Sequence, residues 1–163
     1  MLPKQILTPT DLSVGTEQAV DYACELARTL DAQIHLLNVI SIPALGVPEL
    51  GIGLTGSMID QLVGDNKAAL DRLARTKCTA EVGRVMVKTG NARDVINQTA
   101  KELGADLIVM GTHGRHGISR ALLGSVAETV VRRAPCPVLT VHHPEREFVM
   151  VQEPVRVRRF ATA

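Results

Sequence analysis

Aromatic residues are nearly missing from this chain. Phe, Tyr and Trp make up 2% of its 163 residues, as Tyr22, Phe148 and Phe160, with no tryptophan. Platforms that stack the bases of single-stranded nucleic acid need aromatic faces, which argues against that class of partner. An excess of charge is missing too. Eighteen Lys and Arg residues oppose 17 Asp and Glu, a formal net charge of +1. Duplex nucleic acid and anionic membranes are held by strongly basic surfaces, so neither is an expected partner. No stretch reaches the roughly 18 consecutive apolar residues of a membrane span. Residues 1–6 lack the charged region and long apolar run of a signal peptide. The three cysteines, Cys24, Cys78 and Cys136, form no C-x-x-C pair. An odd, scattered set fits free thiols in a reducing compartment, and a cytoplasmic protein is expected. What the chain does have is aliphatic material, within 45% hydrophobic residues. Its length suits one domain at roughly 100–200 residues per domain.

Hydrophobic patterning alternates between two periods. Residues 5–8 read as a strand, stopped by Pro9-Thr10-Asp11. Ser13 or Thr16 is placed to cap a helix with Ala19, Ala23, Leu26, Ala27 and Leu30 inside. Residues 33–40 form a short apolar run suited to a buried strand. Segment 41–56 carries Pro43, Pro48, Gly46, Gly51, Gly53 and Gly56 and reads as a mobile loop. Ser57 is placed to cap a second helix with Ile59, Leu62, Val63, Leu70 and Leu73 inside. Residues 81–87 read as a third strand. A third helix starts at Gly90-Asn91, buries Val95, Ile96, Ala100 and Leu103, and ends at Gly104. Residues 106–110 form a fourth strand. Ser125 begins a fourth helix with Val126, Ala127, Val130, Val131 and Ala134 inside, and residues 137–141 form a fifth strand. Such alternation predicts an α/β fold: one open five-stranded parallel sheet with helices on both faces, Rossmann-like. The division is 1–143 as the domain and 144–163 as an extension, an edge strand or a mobile tail.

In an open parallel sheet, ligands sit at the carboxyl ends of the strands near the switch in strand order. Three segments should meet there: Pro9-Thr10-Asp11, Val39-Ile40, and the loop from Gly111 to Ser125. That loop holds Gly111, Gly114, Gly117 and Gly124, with His113, His116, Arg115 and Arg120. Glycines let backbone N–H groups approach an anion closely. A helix beginning at Ser125 adds free N–H groups and the positive end of its dipole. The same glycines would also suit a plain strand-to-helix connection.

The spacing Gly111-x2-Gly114-x9-Gly124-Ser125, after a strand ending in Met110, resembles the signature of nucleotide-binding universal stress proteins. Segments 6–11, 104–114, 124–128 and 134–139 resemble the same family, and the likeness extends from residue 1 to about 143. It implies an ATP site. Pro9 and Val39 would border the adenine. Asp11 would lie near the ribose or the metal-bound phosphates, making it an indirect ligand of Mg2+. Met110 and Gly111 would line the nucleoside pocket, with His113 a polar loop residue near phosphate. Gly114, Arg115, Gly124, Ser125 and Val126 would hold the phosphates. The family's last strand pairs with its copy across a two-fold axis. A homodimer through Val138, Leu139 and Val141 is therefore expected, extended by residues 148–151.

Other motifs carry less. Gly51-Ile52-Gly53-Leu54-Thr55-Gly56 matches G-x-G-x-x-G, with Asp71 twenty residues beyond Gly51. It follows a proline-bearing loop and not a strand, so a dinucleotide fingerprint is not the favoured reading. Gly46 and Gly51 have P-loop spacing, but Ile52 stands where lysine is required. His35 reads as structural and Cys136 as a small packed residue. Three functions follow: an ATP-binding stress or signalling factor with no dedicated catalytic activity, a slow ATPase or adenylyl- or phosphoryl-transfer enzyme, and a dimeric interaction module without nucleotide. No catalytic base and no P-loop lysine stand out for the second.

Overall fold

Successive side chains along a strand point to opposite faces, and this splits the core in two. The computed structural model describes residues 2–41, 56–112 and 123–142. The elements are β1 (Gln5–Pro9), α1 (Val14–Leu30), β2 (Gln33–Ile40), α2 (Gly56–Lys77), β3 (Val82–Thr89), α3 (Ala92–Leu103), β4 (Leu107–Gly111), α4 (Ser125–Arg133) and β5 (Val138–Val141). The strands form one parallel sheet in the order β3-β2-β1-β4-β5. On one face, Ile6, Ile34, Leu36 and Val109 pack against Val20, Ala23 and Ala27 of α1 and Leu70 and Leu73 of α2. On the other, Leu7, Leu37, Ile108 and Met110 pack against Ile96 and Ala100 of α3 and Ala127 and Val130 of α4. Neighbours Ile6 and Leu7 thus serve opposite cores, as in a sheet covered on both faces.

Element ends follow local chemistry. β1 runs on through Pro9, and the Thr10 N–H donates to the Leu37 carbonyl at 2.8 Å. α3 starts on Asn91, whose side chain accepts from the Arg93 N–H, and ends on Gly104 at φ 61°. That left-handed conformation costs glycine little. Ser57 lies inside α2 and not ahead of it, since the helix already includes Gly56. Leu62 and Val131 are exposed, 41% and 46%, where burial was expected. The buried residues of α2, Leu70, Leu73 and Ala74, all lie in its second half, and the narrow core face of α4 is filled by Ala127 and Val130. Asp71 is embedded in α2 and paired with Lys67, which removes it from any dinucleotide role. The segments 42–55, 113–122 and 143–163 lie outside the described residues.

One expectation is overturned outright: Cys24 and Cys78 are joined by a disulfide, and Cys136 alone is free. The two cysteines are 54 residues apart in sequence, with no local motif to announce them. α1 and α2 cover the same face of the sheet, so Cys24 on α1 meets Cys78 just past α2, Cα to Cα 5.1 Å. For Cys136, burial and then the Asp106 charge raise the thiol pKa. It therefore stays protonated at neutral pH, the opposite of an activated nucleophile.

His35 is structural, as expected, and its state is legible. The Arg84 N–H donates to Nδ1 at 2.9 Å, so Nε2 carries the proton and donates to Gln5 Oε1 at 2.6 Å. Gly83 permits this approach, since a Cβ there would stand 2.5 Å from His35 Cε1. Burial first, and the Arg84 charge second, hold the imidazole pKa below its ordinary value. The fold thus favours the neutral ring, while the unfolded chain takes up a proton near pH 6.5. Stability contributed by neutral His35 is complete above that pH and is lost as pH falls towards the folded-state pKa. The melting temperature should therefore drop between about pH 7.5 and about pH 5.5. The His35→Gln protein should show a flatter pH profile by calorimetry; parallel profiles would contradict this role.

Candidate functional site

The sheet changes direction between β1 and β4. After β1 the chain turns to α1 on one face, and after β4 it proceeds to α4 on the other. The two exits diverge and leave a crevice at the carboxyl ends of the strands, where ligands of open α/β sheets bind.

Asp11 sits at the start of the first exit. Its Oδ1 accepts from Ser13 N–H at 3.0 Å, Ser13 Oγ at 2.6 Å and Thr16 Oγ1 at 2.8 Å. Ser13 is the N-cap of α1 by position but makes no side-chain cap bond. The carboxylate two residues earlier organises the turn instead. Leu12 takes φ 63°, and its N–H donates to Thr10 Oγ1 at 3.0 Å. Buried Pro9 lies just before this turn, at the end of β1. Val39 stands near the end of neighbouring β2, half-buried against the α3–α4 core. Asn38 beside it, buried, donates from Nδ2 to the Thr10 carbonyl at 2.9 Å and ties β2 to the turn. Nothing in the spacing marks Asn38, because its partner is 28 residues away.

Met110 and Gly111 close β4, both buried, and pair with Thr140 and Val141 of β5. The chain leaves and returns through one point. The Thr112 N–H donates to the Val141 carbonyl at 3.0 Å, and the Gly124 N–H donates to the Thr112 carbonyl at 2.9 Å. Thr112 and Gly124, twelve positions apart in sequence, are thereby pinned side by side, and α4 must begin against the end of β4. Ser125 is exposed in its first turn, and Val126 packs half-buried on the core. Gly124, the N-cap, supplies no side-chain cap, so among the described residues no side chain caps the first N–H groups of α4. His113, Gly114 and Arg115 lie outside the described residues. Pro9, Asp11, Val39, Met110, Gly111, Gly124, Ser125 and Val126 are gathered along the carboxyl ends of β2, β1 and β4.

Spacing alone also missed Arg93, on the first turn of α3. Its Nη2 donates to Ser125 Oγ at 3.1 Å. Among the described residues, no group of three or more His, Cys, Asp or Glu could hold a metal ion. A divalent cation here would have to arrive on the phosphates of a ligand. What the arrangement offers is an uncapped helix N-terminus, a hydroxyl, a guanidinium and a carboxylate around an apolar crevice, a set that suits a phosphorylated small molecule.

An open parallel sheet covered by helices on both faces, with its strand order switching between β1 and β4, defines the class of doubly wound α/β proteins. Within that class, the chain belongs to the universal stress protein family, whose profile matches residues 3–142. A universal stress protein of Methanocaldococcus jannaschii is 36% identical over 151 residues, covering 90% of this chain and 86% of that protein. Among solved structures, one of a hypothetical protein whose biochemical function was assigned from its structure superposes with a TM-score of 0.75. It is 26% identical and covers 90% of this chain and 100% of its own. A universal stress protein in complex with cAMP gives a TM-score of 0.60 at 26% identity, with coverage of 87% and 98%. One from Archaeoglobus fulgidus in complex with dAMP gives 0.57 at 25% identity, with coverage of 86% and 98%.

The Asp11 turn makes a checkable demand. Asp11→Ala removes three hydrogen bonds that start α1. It should lower the unfolding free energy by about 1–2 kcal/mol, the scale of a lost helix cap. Urea titration of the unliganded protein reads this; an unchanged midpoint would show that the carboxylate does not hold the turn.

Proposed function

We propose that this protein is an ATP-binding universal stress protein, a nucleotide-responsive stress or signalling factor without a dedicated catalytic activity. The observation that carries the reading is the closed base of the glycine loop. The Gly124 N–H bond to the Thr112 carbonyl holds Gly111 and the Gly124-Ser125 pair at one spot, and the family's Gly111-x2-Gly114-x9-Gly124-Ser125 signature runs unbroken between them. Two family members of known structure are complexes with adenylates, cAMP and dAMP, which supports an adenine nucleotide as the ligand class.

In this reading Pro9 and Val39 border the base, with Val39 offering backbone hydrogen bonds. Met110 and Gly111 line the nucleoside. Gly114, Arg115, Gly124, Ser125 and Val126 hold the phosphates, and His113 stands near them. Asp11 faces the ribose or a Mg2+ carried on the phosphates. With no aromatic residue near the crevice in sequence, the base is held by aliphatic walls and main-chain groups. ATP would act by binding one conformation of the crevice better than another, since a ligand shifts such an equilibrium only by its difference in affinity. A slow ATPase remains the second reading, resting on Asp11 beside the loop. Steady-state turnover abolished by Asp11→Ala would favour it.

Calorimetric titration with ATP, ADP and AMP tests the site. ATP should bind the wild type, and Gly114→Asp, which adds a carboxylate to the loop, should weaken binding at least tenfold, about 1.4 kcal/mol. Equal affinity in the two proteins would contradict the site.

The same reading extends to assembly. Among the described residues β5 is an edge strand, paired with β4 alone, and an exposed edge is a template for pairing. We take Val138, Leu139 and Val141, each half-buried in the single chain, as the homodimer surface of domain 1–143, with 144–163 as its extension. Sedimentation at micromolar concentration should show twice the mass of the 17.5 kDa chain. A purely monomeric species would remove the dimer.

A further inference from the structure

Arg93 is a cation in an unfavourable place. It occupies the first turn of α3, and its guanidinium reaches the first turn of α4, where Nη2 donates to Ser125 Oγ at 3.1 Å. Both helix ends carry positive partial charge, which favours anions and disfavours cations. Arg93 is half-buried, and its Nε is shielded from solvent with no hydrogen-bond partner. A buried donor of this kind costs free energy until it is satisfied. No carboxylate answers it among the described residues. Glu128, on the first turn of α4, is paired with Arg132 at 3.0 Å. Asp94 follows Arg93 in sequence but is not in ion-pair contact with the guanidinium. An arginine set against two helix N-termini, with donors unspent and no counter-ion, is stabilised once an anion enters.

We infer that Arg93 is a phosphate-binding residue of the nucleotide site, contributed by α3 from outside the glycine loop and aimed at the phosphate tail through the position of Ser125. This rests on the nucleotide reading above. The guanidinium fork would bond phosphate oxygens directly while its bond to Ser125 keeps the two groups in register. Arg93 then favours ligands by their phosphates and is indifferent to the base and sugar.

The test compares wild type, Arg93→Gln and Arg93→Lys by calorimetry with ATP and with adenosine, together with melting of the unliganded proteins. Arg93→Gln should weaken ATP by about tenfold, the scale of one charged hydrogen-bonding partner, and change adenosine affinity less than about twofold. Arg93→Lys, which keeps the charge without the fork, should fall between. The unliganded Arg93→Gln protein should melt no lower than wild type, because an uncompensated cation has been removed. Parallel loss of ATP and adenosine, or a clearly lowered melting temperature, would make the Ser125 bond a structural strut and overturn the inference. Wild type binding ATP with no change in Arg93→Gln would remove the Arg93 role alone. Wild type binding neither ligand would remove the nucleotide site and this role with it.

Discussion

β1 has hydrogen-bonded neighbours on both edges and helices on both faces, and everything else in the molecule is arranged around that confinement. A strand so placed can show water only its ends. Its side chains must alternate between two aliphatic cores, as Ile6 and Leu7 do, and its exit must be made within a residue or two. Pro9, Thr10 and Asp11 make that exit. Because β4 lies beside β1 while its chain leaves towards the other face, the crevice between the exits follows from the strand order. The site is therefore a consequence of packing before it is a matter of particular side chains.

Within the crevice the electrostatics divide by exit. At the β1 exit, Asp11 Oδ1 accepts bonds from Ser13 and Thr16 and holds the turn into α1. At the β4 exit, α4 begins on a glycine with no side-chain cap, beside a hydroxyl and an arginine. Neither N-cap makes a side-chain cap bond. The exits differ in the charge beside them, a carboxylate at the first and a guanidinium at the second, and that difference bears on where an anion would sit. The disulfide between Cys24 and Cys78 belongs to the opposite core, tying α1 to the end of α2 well away from the α4 N-terminus.

Much of this was legible in the chain before folding. The aliphatic runs 33–40 and 106–110, the Gly104 helix stop and the Asn91 start follow from period and capping chemistry, which act over a few residues. β2 and α3 are bounded much as expected, and the Gly111 to Ser125 spacing leads to the family. The misreadings share a cause. Ser57 looks like a cap because the residues before it look like a loop, yet the helix includes Gly56. Leu62 and Val131 fit an apolar helical stripe, but how much of a stripe is covered depends on how far the sheet extends beneath it. Cys24 and Cys78 carry no mutual signal, since only the shared face of α1 and α2 brings them together.

The sequence by itself determined the alternation of strands and helices, the aliphatic character of both cores, the family, and the glycine spacing of the loop, all properties of short-range pattern. Tertiary structure decided the rest: the strand order that opens the crevice, the Thr112–Gly124 closure, the Asn38 tie to Thr10, the pairing of two cysteines and the reach of Arg93 to Ser125. These join residues far apart in the chain, 54 positions for the two cysteines and about a hundred for Ile6 and Leu107 of the paired strands. Such contacts depend on which elements share a face of the sheet, and periodicity along a single chain does not encode that.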